Sequence, residues 1–384
     1  MGEGLRVAYA TTYDPRDPAS WSGTGYYIGQ SLERQNIQVD YLGPLPDYRS
    51  VVLRAKGAFY TRILGQMYLR EREPAVCRHY AREFSRRLSA ANPDVILSPG
   101  TLPIALLTCK QPMAIWADAT FAGLIETYNI DSPVCAESMR HGNQMEVTAL
   151  ERCRLAIYCS DWAAQTARER YRVPQDKIRV VPFGANLESD LKLEDIRRVT
   201  ASRSRTMCKL LFIGREWQRK GGDLAVEVAG ALNGAGLPTQ LTVVGCEPVI
   251  GDSTPGFVRI VGSLHKTREE DVRRLKSLLE ESHFLIMPSR AECFWVVFCE
   301  ASSFGVPSLA SDVGGIPTAV RDGCNGKTFA IERFSAECVQ YVLSLFSSLA
   351  SYEELALSSY SEYEKRLNWN VAGQQVKRLL SELL

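Results

Sequence analysis

Short apolar runs, each closed by turn residues and followed by a longer stretch of helical periodicity, recur through most of the chain. The runs at 5–11, 39–42, 95–98, 114–116 and 155–159 read as buried strands, too short for helices and bounded by turn formers. The run at 177–184 adds one more. Strands that alternate with helices predict a parallel sheet covered on both faces, because parallel neighbours need a crossover between them. A charged stretch at 188–205 reads as a linker with a short helix. Beyond it the pattern restarts at 210–214, 240–245, 258–262, 284–287 and 306–310. The expectation is an α/β protein with two doubly wound domains facing each other across a cleft. Ligands in such sheets bind beyond the carboxyl ends of the strands. The last predicted element is an amphipathic helix at 371–384.

Length agrees with two domains, since 384 residues exceed one ordinary core. A net charge of +1 and an apolar fraction of 45% give no ground for expecting nucleic acid as a partner, or disorder. The eleven cysteines include no Cys-x-x-Cys, which fits reduced thiols better than disulfides or a zinc site. No stretch reaches the roughly 18 apolar residues of a membrane span, and the first residues lack an apolar segment behind a basic start. A cytoplasmic protein is expected. His79, His141, His265 and His283 fall in no metal-ligand spacing and there is no Asp-x-Asp, so no metal is expected either.

The candidate chemistry lies in two strand–loop–helix segments. In Pro288-Ser-Arg-Ala-Glu-Cys-Phe-Trp-Val-Val-Phe-Cys-Glu300, Glu292 and Glu300 flank the start of a helix, where unpaired N–H groups favour an anion. Carboxylates accept hydroxyls rather than phosphates, so the segment suits a ligand with both phosphate and polyol. In Leu210-Leu-Phe-Ile-Gly-Arg-Glu-Trp-Gln-Arg-Lys-Gly-Gly222, Arg215 and Lys220 follow a strand and can neutralise a diphosphate, unless they are merely solvated loop charges.

Together these residues resemble the retaining glycosyltransferases of family 4, which have the GT-B fold. The resemblance rests on Gly214-Arg215-x4-Lys220-Gly221 and Glu292-x7-Glu300, in order with Val180-Val-Pro-Phe-Gly184, Asp312-Val-Gly-Gly-Ile-Pro317 and Trp369. It implies an acceptor-side Rossmann-like domain at 1–186 and a linker at 187–206. A nucleotide-sugar-binding Rossmann-like domain at 207–364 and a C-terminal helix at 365–384, returning to the first domain, would complete the chain. It also implies a donor of the UDP-, GDP- or ADP-sugar type, no further cofactor, and an acceptor that the sequence does not identify. By the same resemblance Arg215 and Lys220 stabilise the departing diphosphate, Glu292 touches the transferred sugar and Glu300 binds ribose hydroxyls. The backbone of Phe294, Trp295, Val296 and Val297 would hold sugar and phosphate oxygens, and backbone near Leu264 would read the base.

Two departures from the family pattern bear on the sugar pocket. Trp295 stands where a glycine usually follows the aromatic, and either points away or shrinks the pocket. Thr318 replaces the usual glutamate after the Gly-Gly-x-Pro loop.

Other positions leave alternatives open. Gly23, Thr24 and Gly25 read as a flexible loop approaching the donor diphosphate, or as an ordinary turn. With Gly29 and Asp40 they also mimic a nicotinamide fingerprint, although about ten residues separate strand from glycines. Asp118 stands where the family often has a histidine near the sugar. It either accepts a hydrogen bond from a hydroxyl or caps a helix beginning near Ala119. An epimerase or phosphorylase of the same fold is the alternative activity.

Segment 49–88 carries ten basic residues against three acids, among them Phe59, Tyr60, Ile63, Leu64, Met67 and Tyr68. Such a segment either makes peripheral contact with an anionic membrane or is a solvated pair of helices.

Overall fold

A computed structural model describes residues 4–128, 133–248 and 254–384. The chain divides into two compact units, one of Met1–Pro182 with Ala372–Leu384 and one of Phe183–Val371.

In the first unit six parallel strands form a sheet in the order β2-β1-β3-β4-β5-β6. They are β1 (Arg6–Tyr9), β2 (Gln38–Tyr41), β3 (Val95–Ser98), β4 (Met113–Ala117), β5 (Leu155–Tyr158) and β6 (Ile178–Val180). The central strands are buried at every position, which is why they read as apolar runs without alternation. The helices between them are α1 (Thr24–Glu33), α2 (Val51–Ile63), α3 (Pro74–Ala91), α4 (Phe121–Tyr128), α5 (Ala136–Arg152) and α6 (Asp161–Tyr171). The core gathers Ile96, Ile115, Phe84, Leu150 and Tyr158.

The second unit has its own parallel sheet, in the order β12-β11-β10-β7-β8-β9. Its strands are β7 (Cys208–Ile213), β8 (Thr239–Val244), β9 (Val258–Gly262), β10 (Phe284–Met287), β11 (Ser308–Ser311) and β12 (Gly326–Phe329). Its helices are α7 (Leu193–Ser202), α8 (Gly222–Gly234), α9 (Glu269–Glu281), α10 (Val297–Ser302), α11 (Ile316–Ala319), α12 (Phe334–Phe346) and α13 (Leu349–Arg366). The last helix, α14 (Trp369–Ser381), belongs to the first unit from Ala372 onward. There Gly373 lies against the Ser31 carbonyl with no room for a Cβ, and Lys377 donates to the Gln35 carbonyl at 2.7 Å.

Two features differ from expectation. The sequence pattern gives no strand at β12, whose Gly-Lys-Thr-Phe is too polar to signal one. β12 is an edge strand paired only with β11, so half-buried polar residues are tolerated there. The stretch at 188–205 holds the short helix expected there, α7, but packed firmly into the second unit. Ile196 of α7 is fully buried, and Arg203 is buried with its guanidinium donating to the carbonyls of Gly305 (2.7 Å), Phe304 (2.8 Å) and Glu280 (3.1 Å) and to Tyr352 Oη (2.8 Å). A charged, solvated look conceals an arginine whose every bond is made inside the unit.

Candidate functional site

The strand order of the second unit reverses between β7 and β10, because successive strands grow outward from β7 on one side and from β10 on the other. Loops leaving the carboxyl ends of two such strands diverge to opposite faces and leave a crevice. The two motif segments are those loops. After β7, Trp217 buries its ring against Phe212 at 5.3 Å and covers Gly222, which fixes the turn. Gly221 has φ 72° and its Cα faces the Pro288 carbonyl, so only glycine fits. Arg290 ties the loops together, bidentate to Asp223 at 2.9 and 2.7 Å, while its own N–H donates to the Arg219 carbonyl at 2.8 Å.

Two buried charges and a partly buried one meet in the crevice. Lys220 is 5% exposed and Glu292 3%. The Lys220 ammonium donates to Glu292 Oε1, and Arg219 Nη1 donates to the same oxygen at 2.7 Å and to the Ala291 carbonyl at 2.8 Å. Arg219 is itself held by Glu216, at 2.8 and 2.7 Å. Trp295 lies over Lys220, with Nζ 3.1 Å from the centre of its ring, and its far edge borders Gly214. Trp295 therefore points into the crevice. Burial pushes the Lys220 pKa down and Arg219 adds to that push, whereas Glu216 pulls the other way. The cluster therefore sets two cations against two carboxylates, of which Glu216 is exposed and Glu292 is buried and shared.

Glu300, 2% exposed, is reached by Lys266 from the loop after β9, which also carries half-buried Leu264. Phe294 packs on Phe183 at 5.6 Å, and Val296 and Val297 are buried at the start of α10. Gly314 has φ 54° and abuts the Glu292 carbonyl, which accepts from Gly315 N at 3.3 Å.

Of the residues expected in this unit, Gly214, Lys220, Glu292 and Trp295 come together. Arg215 does not join them. It stands exposed on the loop, and Arg219, which the sequence reading passed over, is the second cation on Glu292. The signal for Arg219 was its spacing from Glu216, three residues, which makes their ion pair. Lys266 was missed too, for lack of any pattern around it.

The remaining expected residues lie in the first unit. Gly23, with φ 86°, precedes α1, and Thr24 and Gly25 are buried as its first residues. Gly25 faces the Tyr13 ring without room for a Cβ and its carbonyl accepts from Tyr9 Oη at 3.1 Å. A flexible loop at Gly25 is thus ruled out by packing. The nicotinamide reading fails as well, because Asp40 is engaged by Arg6 at 3.3 Å and the glycines belong to a packed helix start. Asp118 is no helix cap. α4 begins at Phe121, and Thr120 Oγ1 accepts from Gly123 N at 3.2 Å in the capping position. Burial raises Asp118 from 3.8 to about 6, opposed by its own and the Ala119 backbone N–H and by the Trp21 side chain. Trp21 and Ser22 adopt left-handed backbone, at φ 47° and 53°.

Glu73, Glu137 and His141, also in this unit, bring ligand atoms within 4.8 Å of one another. The Lys56 ammonium already bonds both carboxylates, at 2.9 and 2.7 Å, and occupies the place of a cation.

Comparison with known proteins follows this division. The sequence profile described as Glycosyltransferase Family 4 matches residues 25–189, and that described as Glycosyl transferases group 1 matches residues 208–348. A D-inositol 3-phosphate glycosyltransferase of Nocardiopsis dassonvillei is 30% identical over 181 residues, 44% of this chain and 42% of that protein. The chain thus spans about two-fifths of the length of that relative. Among solved structures, a sucrose-phosphate synthase from Thermosynechococcus elongatus superposes with a TM-score of 0.68 at 16% identity, covering 99% of both chains. Anabaena HepE in complex with UDP-glucose gives 0.62 at 15% identity, over 98% of this chain and all of that one.

Proposed function

Because the chain belongs to the glycosyltransferases of family 4 and shares their GT-B fold, we propose that it moves a sugar from a nucleoside diphosphate sugar to an acceptor hydroxyl. The transfer retains anomeric configuration and needs no metal ion. The observation that carries this reading is the cluster of buried Lys220 and Glu292 with partly buried Arg219 at the switch point of the second sheet. A diphosphate binding there exchanges one carboxylate oxygen for several phosphate oxygens around two cations. Glu292, released from them, turns to the hydroxyls of the transferred sugar. HepE, of the same fold, is known with UDP-glucose and with UDP, which favours a uridine donor.

In the reaction the bond between anomeric carbon and diphosphate oxygen breaks while Lys220 and Arg219 neutralise the charge that develops on the leaving group. The acceptor oxygen bonds to the same face of that carbon, and its proton passes to the departing phosphate. The products are the glycoside and the nucleoside diphosphate. Glu300 takes the ribose hydroxyls, in place of Lys266. Asp118 is assigned the acceptance of a hydrogen bond from a substrate hydroxyl. Trp295 narrows the sugar subsite over Lys220 and so limits which sugars fit.

The test is thermal denaturation with UDP, GDP, ADP and their glucose conjugates in the presence of a chelator. A ligand at a hundred times its dissociation constant raises stability by about 2.7 kcal/mol. A shift with one nucleotide that disappears in Glu300→Ala supports the donor site. No shift with any of them removes it.

A further inference from the structure

Helix α2 is amphipathic in the reverse sense. Its inward side holds Leu53, Lys56, Gly57 and Tyr60, at the spacing of one helical face, and it is a polar attachment. Lys56 bonds Glu73 and Glu137, Tyr60 Oη donates to Glu137 at 3.3 Å, and Tyr68 stacks on Tyr60 at 5.6 Å beside Gly57. No residue of α2 is buried. The apolar residues face outward instead, with Val51 72%, Val52 74%, Phe59 51% and Ile63 70% exposed. A helix ordinarily buries such a stripe, and one left on the surface marks a partner.

The neighbouring helix behaves otherwise. α3 buries Val76, Cys77, Ala81, Phe84 and Leu88, so its basic residues are the solvated side of an ordinary helix. The unusual surface is therefore confined to residues 49–64 rather than extending to 88. That stretch contains no acid. Arg49, Arg54 and Arg62 are exposed around the apolar stripe, with no ion pair among the described residues.

We propose that this face of α2 docks on an anionic lipid bilayer, its arginines among the phosphates and Phe59 and Ile63 in the acyl boundary. Charge decides between a bilayer and a second copy of the chain: a copy seated on the same face would bring Arg54 and Arg62 against their own images, whereas anionic headgroups complement them. The cluster of Lys56 with Glu73 and Glu137 keeps the helix oriented, so the face is preformed.

The experiment is co-sedimentation of the whole protein with vesicles of equal parts phosphatidylglycerol and phosphatidylcholine, and with phosphatidylcholine alone. Binding to the first, weak binding to the second and release at molar salt are expected, since each arginine near an anionic surface is worth about fivefold in partitioning. Phe59→Ser with Ile63→Ser should weaken binding by about tenfold or more, as should Arg49→Glu, Arg54→Glu and Arg62→Glu together. Both variants should keep the unfolding temperature, as they touch no buried group. Absent binding, or binding by both variants as strong as that of the unaltered protein, overturns the proposal. So does a dimer that Phe59→Ser with Ile63→Ser dissociates while no vesicle is bound. None of these outcomes depends on whether a nucleotide binds the second unit.

Discussion

Both units place a glycine-bearing loop after their first strand, β1 in one and β7 in the other, yet they fill it differently. In the first unit Gly25 is closed over by Tyr13 and Tyr9, and the carboxyl of Asp118 is raised from 3.8 to about 6 by burial. In the second, Gly214 and Gly221 make room for Lys220, Arg219 and Glu292, three charges in contact. The sheet orders differ in parallel with this. The first unit switches direction between β1 and β3 and the second between β7 and β10, so different loops meet at each crevice. A shared architecture therefore says where a ligand can sit, while the side chains at the switch point say what charge it carries.

The comparison is broken most directly by activity. Lys220→Ala should lower the transfer rate by on the order of a hundred- to a thousandfold, measured as nucleoside diphosphate released at saturating donor. Tyr13→Phe should leave it nearly unchanged, and equal losses would show that the two loops contribute alike. Next in size is stability. Glu292→Ala strands the buried Lys220, leaves Arg219 only its pair with Glu216, and should cost about 3 kcal/mol in urea unfolding. Added UDP should recover part of that loss by taking over Lys220 and Arg219.

Acidity separates the units by sign. Asp118 keeps its proton in the fold up to about pH 6 but loses it near 3.8 when unfolded, so its contribution is complete below pH 4 and disappears as pH rises to 6. His283 behaves oppositely. Burial lowers it from 6.5 to about 4, its Nδ1 accepting from Lys209 N at 3.0 Å and Nε2 donating to the Ser204 carbonyl at 2.8 Å. Its contribution is present above pH 6.5 and lost as pH falls to 4. Hydrogen exchange followed from pH 4 to 6.5 should show the first unit weakening and the second strengthening, by about 2 kcal/mol each. Asp118→Asn should flatten the first profile alone.

The smallest effect concerns the glycines. Gly221→Ala combines a left-handed backbone with a clash against the Pro288 carbonyl and should cost about 2 kcal/mol. Gly25→Ala meets a tyrosine ring that can tilt, and should cost roughly half as much by thermal denaturation.

Much of this was legible in the sequence, and the exceptions share a cause. Short apolar runs, continuous in the buried central strands, marked eleven of the twelve described strands, and the edge strand β12 escaped because its Lys327 and Thr328 are only half-buried. Lys220, Glu292 and Glu300 were recognisable by spacing along the chain. Arg219 and Lys266 were not, since each acts on a carboxylate brought to it only by folding. The inward turn of Lys56 was likewise invisible, because Glu137, its partner, lies 81 residues away.

The burial of Arg203 has a practical side, for it fixes where the protein can be cut. A fragment starting at residue 207 discards the guanidinium that satisfies the carbonyls of Phe304 and Gly305, along with the Ile196 side chain packed on Gly305. It also discards Asn186, whose amide oxygen accepts from the Trp369 indole at 3.0 Å. A fragment from 183 to 371 keeps all of these bonds. The second should express as a soluble, protease-resistant body and the first should be degraded, although they share every residue of the charged crevice.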